Sequence, residues 1–197
     1  MEKIGENVNI KKIAITGIIA SGKSALCEFL KKKGAYVISS DEVVHQLYSQ
    51  NKEVQARVID EFGEGIVSQG KIDRKKLGKI VFHDKNALKR LEGIVHPYIK
   101  NTIKETYNLV KDQNYSAFVV EIPLLFETGL NHWFELNITV SSPEEKCRQR
   151  FDKIYGLGAF DGRMAFQFSQ PEKERLADLV IENNGSLDDL ELKAQNI

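Results

Sequence analysis

The chain is poor in the features that would mark several common classes. It has only two cysteines, Cys27 and Cys147, with no CxxC pair and no Cys/His cluster. A structural zinc site is therefore not expected, and two isolated thiols suit a reducing compartment. It has no charge surplus: 28 Lys and Arg stand against 28 Asp and Glu. A general nucleic-acid binder would carry a basic excess, so no nucleic-acid partner is expected, although the balance leaves room for a locally basic pocket. No apolar run approaches the ~18 residues of a membrane span. The N-terminal stretch MEKIGENVNIKK lacks the apolar core of a secretory signal. The expectation is a soluble, cytoplasmic protein with no membrane partner. Repeats, low-complexity tracts and long like-charge runs are also missing from the sequence. Nothing in it speaks to oligomeric state.

What is present is enough apolar sequence for a core, 42% of 197 residues. That length fits one α/β domain with a modest second lobe. Five short β-rich runs stand out: Lys12–Thr16, Ala35–Ser39, Ala117–Ile122, Leu136–Val140 and Leu179–Glu182. Near-continuous apolar strands separated by helical stretches predict a five-stranded parallel sheet covered on both faces. Apolar spacing predicts helices over Gly22–Lys33, Asp41–Ser49, Glu53–Phe62, Arg74–Phe82, Lys85–Ile94, Pro97–Lys111, Glu144–Lys153 and Leu187–Gln195. The mainly helical stretch at about 50–112 is too long for a simple crossover and predicts a helical lobe. Tyr155–Arg163, with glycines at 156, 158 and 162, reads as an irregular loop or lid hinge.

The strongest signal is Gly17-Ile-Ile-Ala-Ser-Gly22-Lys23-Ser24, which satisfies GxxxxGK[ST] between the first strand and a helix. The chemistry needs that layout. Backbone N–H groups of the loop and of the helix N-terminus point at phosphate oxygens. Lys23 supplies a point charge, and the Ser24 hydroxyl can ligate Mg²⁺. Gly17, Ala20, Ser21, Gly22, Lys23, Ser24 and Ala25 are the expected ATP contacts. The motif implies a nucleotide and leaves the acceptor open. An Asn-Lys-x-Asp motif, as a GTPase would want, is missing from the sequence.

Ligands of a parallel sheet sit at the carboxyl ends of its strands, and two carboxylates fall there. Asp41 follows the second run; it can accept a proton from an acceptor hydroxyl or cap the next helix. Glu121 lies near the end of the third run, where a carboxylate needs a partner. It can hold a Mg²⁺-bound water, or belong to a structural ion pair.

In this order, TGIIASGKS, ISSDEVV, GKIDRKKLGKIVF, LEGIVHPYI, EIPLLFE and ADLVIENNGSL resemble the dephospho-CoA kinase family over about residues 12–190. The resemblance implies a single P-loop kinase domain, with a substrate-binding helical insertion at about 50–112 and a lid at about 143–169. It implies ATP-dependent phosphorylation of the ribose 3′-hydroxyl of dephospho-CoA to give coenzyme A, with Mg²⁺. By this resemblance Asp41 is the catalytic base, working with Lys23. Arg74, His96 and Pro97 match the substrate-side motifs, with Glu121 beside them. Arg163 and Gln167 match the lid segment, and Asn183 and Gly185 match a loop near adenine. The chain departs from the pattern at Ile18 and Ala20, where glycines are common, and at Ser39, which replaces the first acid of an Asp-x-Asp pair. The lid pattern Q-x-x-R-x-x-x-R falls on Lys146, Gln149 and Lys153, with Arg148 and Arg150 flanking Gln149. Two other readings fit the same motif: a nucleoside or nucleotide kinase, or an ATP-binding protein without kinase activity.

Overall fold

The computed structural model describes residues 10–81, 83–158, 160–195 and 197. They divide into two compact units. Ser40–Thr106 forms one, and the described residues before and after it form the other.

The flanking unit is built on a five-stranded, all-parallel sheet. Its strands are β1 (Lys12–Thr16), β2 (Tyr36–Ser39), β5 (Phe118–Glu121), β6 (Leu136–Ser141) and β7 (Leu179–Glu182). The five apolar runs thus become the five strands of one sheet. The order is β2-β5-β1-β6-β7. β1 lies at the centre, and Ile13, Ala14 and Ile15 are almost fully buried. Such runs are stable only when both faces are covered. One face packs on Leu26, Cys27 and Leu30 of helix α1 (Lys23–Lys32) and on Leu190 and Ala194 of helix α9 (Leu187–Ala194).

Helix α6 (Glu144–Tyr155) contributes Cys147 and Phe151 to a second cluster, which α7 (Phe160–Met164) closes with Phe160. This departs from the expected irregular stretch at Tyr155–Arg163. The helix runs on through Tyr155, Gly156 and Gly158 turn the chain at positive φ, and Phe160 restarts a helix. The fully buried Phe160 ring meets Phe151 edge-on, with centroids 5.8 Å apart, and anchors the turn.

Helix α8 (Gln170–Leu176) was not among the expected elements. Its start is legible in the capping-box spacing Ser169-x-x-Glu172, where Glu172 Oε2 accepts from the Ser169 N–H (2.8 Å) and hydroxyl (2.6 Å). Lys173 on α8 has no solvent exposure. Its Nζ donates to the Pro123 carbonyl (2.9 Å) and to Glu127 Oε1 (2.7 Å). Glu127 Oε1 also accepts the Phe168 N–H, and Thr16 donates to the same Pro123 carbonyl. Burial pushes the Lys173 ammonium down, and Glu127 opposes that shift.

The other unit contains α2 (Ser40–Gln50), α3 (Lys52–Phe62), the hairpin β3 (Val67–Ser68) and β4 (Lys71–Ile72), α4 (Arg74–Val81) and most of α5 (Lys85–Val110). The hairpin was not expected from the strand runs. Gln69 and Gly70 both take positive φ, as a tight two-residue turn requires, and glutamine is an unusual residue there. α5 joins two helices expected to be separate. Pro97 lacks a donor but lies on the exposed face. Leu91, Val95, Ile99 and Ile103, spaced by four, bury one continuous stripe and hold the helix through it.

Replacing Lys173 by Met strands the Glu127 charge in a buried site. Urea unfolding should show a loss of about 3 kcal/mol. Adding Glu127→Gln should recover part of it, because no orphaned charge remains and the amide oxygen still accepts the Phe168 N–H.

Candidate active site

The loop from Gly17 to Ser24 leaves the carboxyl end of β1 and becomes the first turn of α1. Its backbone needs its glycines. Gly17 has φ 143°, and a side chain there would strike the Val140 carbonyl and crowd Ser21 Oγ. Gly22 has φ 108°, caps α1 without a side-chain bond, and leaves room for the Asn183 amide. Ala20 sits at φ 58°, left-handed without being glycine, at a strain of about 1 kcal/mol. Ile18 is wholly buried and packs with Cys147, Phe151 and Phe160.

Lys23 is buried, and its Nζ reaches back to the carbonyls of Gly17 (3.2 Å) and Ile18 (3.0 Å). Ser24 is exposed and donates to Glu121 Oε1 at 2.9 Å. Glu121 ends β5, in register with Ile15 of β1 and Ser39 of β2. Ala25, the next residue of α1, packs against the sheet-side core. Ser21 is fully buried, and its hydroxyl has no hydrogen-bond partner among the described residues. Burial pushes the nearby Cys27 thiol well up, with Glu121 reinforcing the effect, so it stays neutral.

Asn183 follows β7 and is buried; its Nδ2 donates to the Ser21 carbonyl at 2.8 Å. Gly185 gives space to the Asp189 carboxylate, which caps α9 together with Ser186. Two α6 cations one turn apart meet the same loop. Lys146 Nζ donates to the Asn184 carbonyl (2.6 Å), and Arg150 Nη2 donates to the Asn183 carbonyl (3.1 Å). Arg148 points elsewhere, to Asp161 (2.6 and 2.8 Å) and Glu144 (3.1 Å), with its guanidinium over the Phe160 ring. Arg163 on α7 is exposed and lies over the rings of Phe151 and Tyr155.

The structure therefore gathers Gly17 to Ser24, Glu121 and Asn183 at the carboxyl ends of the sheet. Asp41, Arg74, His96 and Pro97 belong to the other unit. Asp41 is exposed in the first turn of α2, inside the helix rather than capping it, because α2 begins at Ser40. Arg74 opens α4, where Asp73 accepts the N–H groups of Lys75 and Lys76. Burial pushes the Tyr48 hydroxyl up to about 12, and the charge of Arg74 opposes that shift. His96 is half-buried on α5; burial pushes its imidazole down, and Lys100 adds to the effect. Sequence reasoning missed Ser142, the acceptor facing Arg150, because no local pattern marks it.

The sequence model described as dephospho-CoA kinase matches residues 11–189. The chain belongs to the dephospho-CoA kinase family. Among family members, the dephospho-CoA kinase of Chlamydia pneumoniae is 36% identical over 191 residues, 95% of each chain. A dephospho-CoA kinase structure from Campylobacter jejuni superposes with TM-score 0.68 at 33% identity, over 94% of each chain. The Thermus thermophilus protein TT1252 superposes with TM-score 0.80 at 33% identity, over 95% of this chain and 97% of its own. This family member is thus a P-loop kinase in fold, with the five-stranded parallel sheet expected from its sequence.

The His96 shift fixes a pH dependence. The unfolded chain takes up a proton near the ordinary value of 6.5, and the folded chain does so only at lower pH. The folded form therefore loses stability as pH falls below that value. Thermal melts between pH 7.5 and 5.5 should show the melting temperature dropping on acidification, with a shallower drop in His96→Gln.

Proposed function

We propose that the chain transfers the γ-phosphoryl group of ATP to the ribose 3′-hydroxyl of dephospho-CoA, giving coenzyme A. The observation that carries the phosphoryl-transfer chemistry is the Ser24 hydroxyl held 2.9 Å from Glu121 at the start of α1. Family membership supports the acceptor.

The residues present fit a magnesium–triphosphate ligand. Ser24 and Glu121 offer hard oxygens of the kind Mg²⁺ prefers, the hydroxyl directly and the carboxylate through water. The uncapped N-terminus of α1 and the unpartnered Ser21 hydroxyl offer donors to phosphate oxygens. When bound, the cation would neutralise charge on the phosphate oxygens.

In this reading Lys23 exchanges its carbonyl partners for phosphate oxygens and supplies positive charge where charge develops. Gly17, Ala20, Ser21, Gly22 and Ala25 shape the loop that orients the triphosphate. Asn183 backs that loop, and Gly185 lies in the turn beside the nucleotide base. Asp41 takes the proton from the acceptor hydroxyl, or orients it. Arg74, His96 and Pro97 bind the acceptor side. Arg163 with Gln167 belongs to a lid over 143–169 that excludes water from the transfer. The helical segment at about 50–112 is the substrate lobe. We place the reaction in the cytoplasm, with no nucleic-acid or membrane partner.

ATP-dependent conversion of dephospho-CoA to coenzyme A tests the reading, with nucleosides and nucleotides as competing acceptors. Coenzyme A should form, and phosphorylated nucleosides should not. Lys23→Ala should remove activity by on the order of 10²-fold or more. Asp41→Asn should lower kcat by about 10² to 10⁴ with little change in ATP affinity. Full turnover by Asp41→Asn would discard the base assignment, and ATP binding without any product would point to a non-catalytic nucleotide binder.

A further inference from the structure

Two positions of the phosphate loop, Ile18 and Ala20, carry side chains between its glycines, and one helix answers both. Ile18 inserts between Cys147 and Phe151 of α6 and Phe160 of α7. Ala20, held in the left-handed region, turns its carbonyl toward Arg150 of the same helix, with Nη1 at 3.5 Å. That contact is long for a hydrogen bond, but it is not alone. Arg150 Nη1 also donates to Ser142 Oγ (3.1 Å), and Nη2 donates to the Asn183 carbonyl (3.1 Å). The Ser142 hydroxyl itself donates to the same Asn183 carbonyl at 3.0 Å. Asn183 completes the circuit, because its Nδ2 holds the Ser21 carbonyl. The guanidinium thus joins three segments: the phosphate loop after β1, Ser142 after β6 and Asn183 after β7.

The chemistry of such a loop explains what that brace is for. Amides can face an anion only if the neighbouring carbonyls turn away and find donors of their own. Arginine suits the task, since its planar fork serves several acceptors at once from a fixed position. A helix cation at this place has two competing jobs: to grip the transferred phosphate, or to hold the loop. The acceptors surrounding Arg150 are a hydroxyl and two carbonyls, which favours the second.

We propose that Arg150 is a positioning residue of the phosphate loop, bracing the carbonyls of Ala20 and Asn183 so that the loop amides stay turned toward a nucleotide phosphate. This rests on the ATP-dependent kinase reading above. The brace acts on the part of the site that ADP and ATP share, whereas a group touching the transferred phosphate would distinguish them.

The test measures ADP and ATP affinity by calorimetry with Mg²⁺, together with steady-state coenzyme A formation, in Arg150→Met and Arg150→Lys. Arg150→Met should weaken ADP and ATP in parallel by about tenfold, the loss of one charge-assisted hydrogen bond. KM for ATP should rise in step while kcat changes less than about twofold. Arg150→Lys, which keeps the charge without the fork, should fall between; if the methionine variant does not fold, it carries the comparison. Adding Ala20→Gly to Arg150→Met should restore part of the affinity, since glycine takes φ 58° without strain. Unchanged ADP affinity with a fall in kcat or in ATP affinity would overturn the proposal and move Arg150 to the transferred phosphate. Unchanged affinity for both nucleotides would overturn it as well. Failure of the unaltered chain to make coenzyme A would remove the acceptor reading alone, leaving the two nucleotide affinities to decide Arg150.

Discussion

A loop that offers its amides to an anion must first dispose of its carbonyls. That constraint organises the sheet-bearing unit of this kinase. Lys23 takes the carbonyls of Gly17 and Ile18, Asn183 takes that of Ser21, and Arg150 faces that of Ala20. Each donor comes from a different part of the chain: α1, the loop after β7, and α6. The loop's conformation is therefore a tertiary property, although its motif is contiguous.

The sheet order makes the arrangement feasible. With β1 central and β5 and β6 on either side, the carboxyl ends of neighbouring strands deliver Glu121, Ser142 and Asn183 around one loop. The same order pairs Ser24 with Glu121 across 97 positions of sequence. The side chains of Ile18 and Ala20 are absorbed differently. Ile18 becomes core, so its cost in loop freedom is offset by burial. Ala20 keeps its strain and leans on neighbours.

Legibility varied with the range of the interaction. The five strands were visible because each is a short, almost unbroken apolar run. The phosphate loop was visible because its glycines, lysine and hydroxyl lie within eight consecutive positions. α8 was overlooked despite a local capping signal at Ser169 and Glu172, because its seven residues offer little apolar periodicity. The proline at 97 suggested a break that the buried stripe of α5 overrode. The glycines at 156, 158 and 162 suggested irregularity, yet the buried Phe160 opens a helix that runs through Gly162.

From the sequence alone came the family, the sheet, the anion-binding motif and the two carboxylates at or just beyond strand ends, since all of these depend on residue type and near-neighbour spacing. Which cation serves which acceptor was decided only in three dimensions. Arg148 and Arg150 differ by two positions on one helix, yet α7 supplies carboxylate to the first while the strand-end loops supply carbonyls to the second. Lys173 sits in no motif of the sequence, yet it is wholly buried against Glu127. A charged side chain's partner is set by what the fold brings within about 3 Å of it, and chain order does not record that distance.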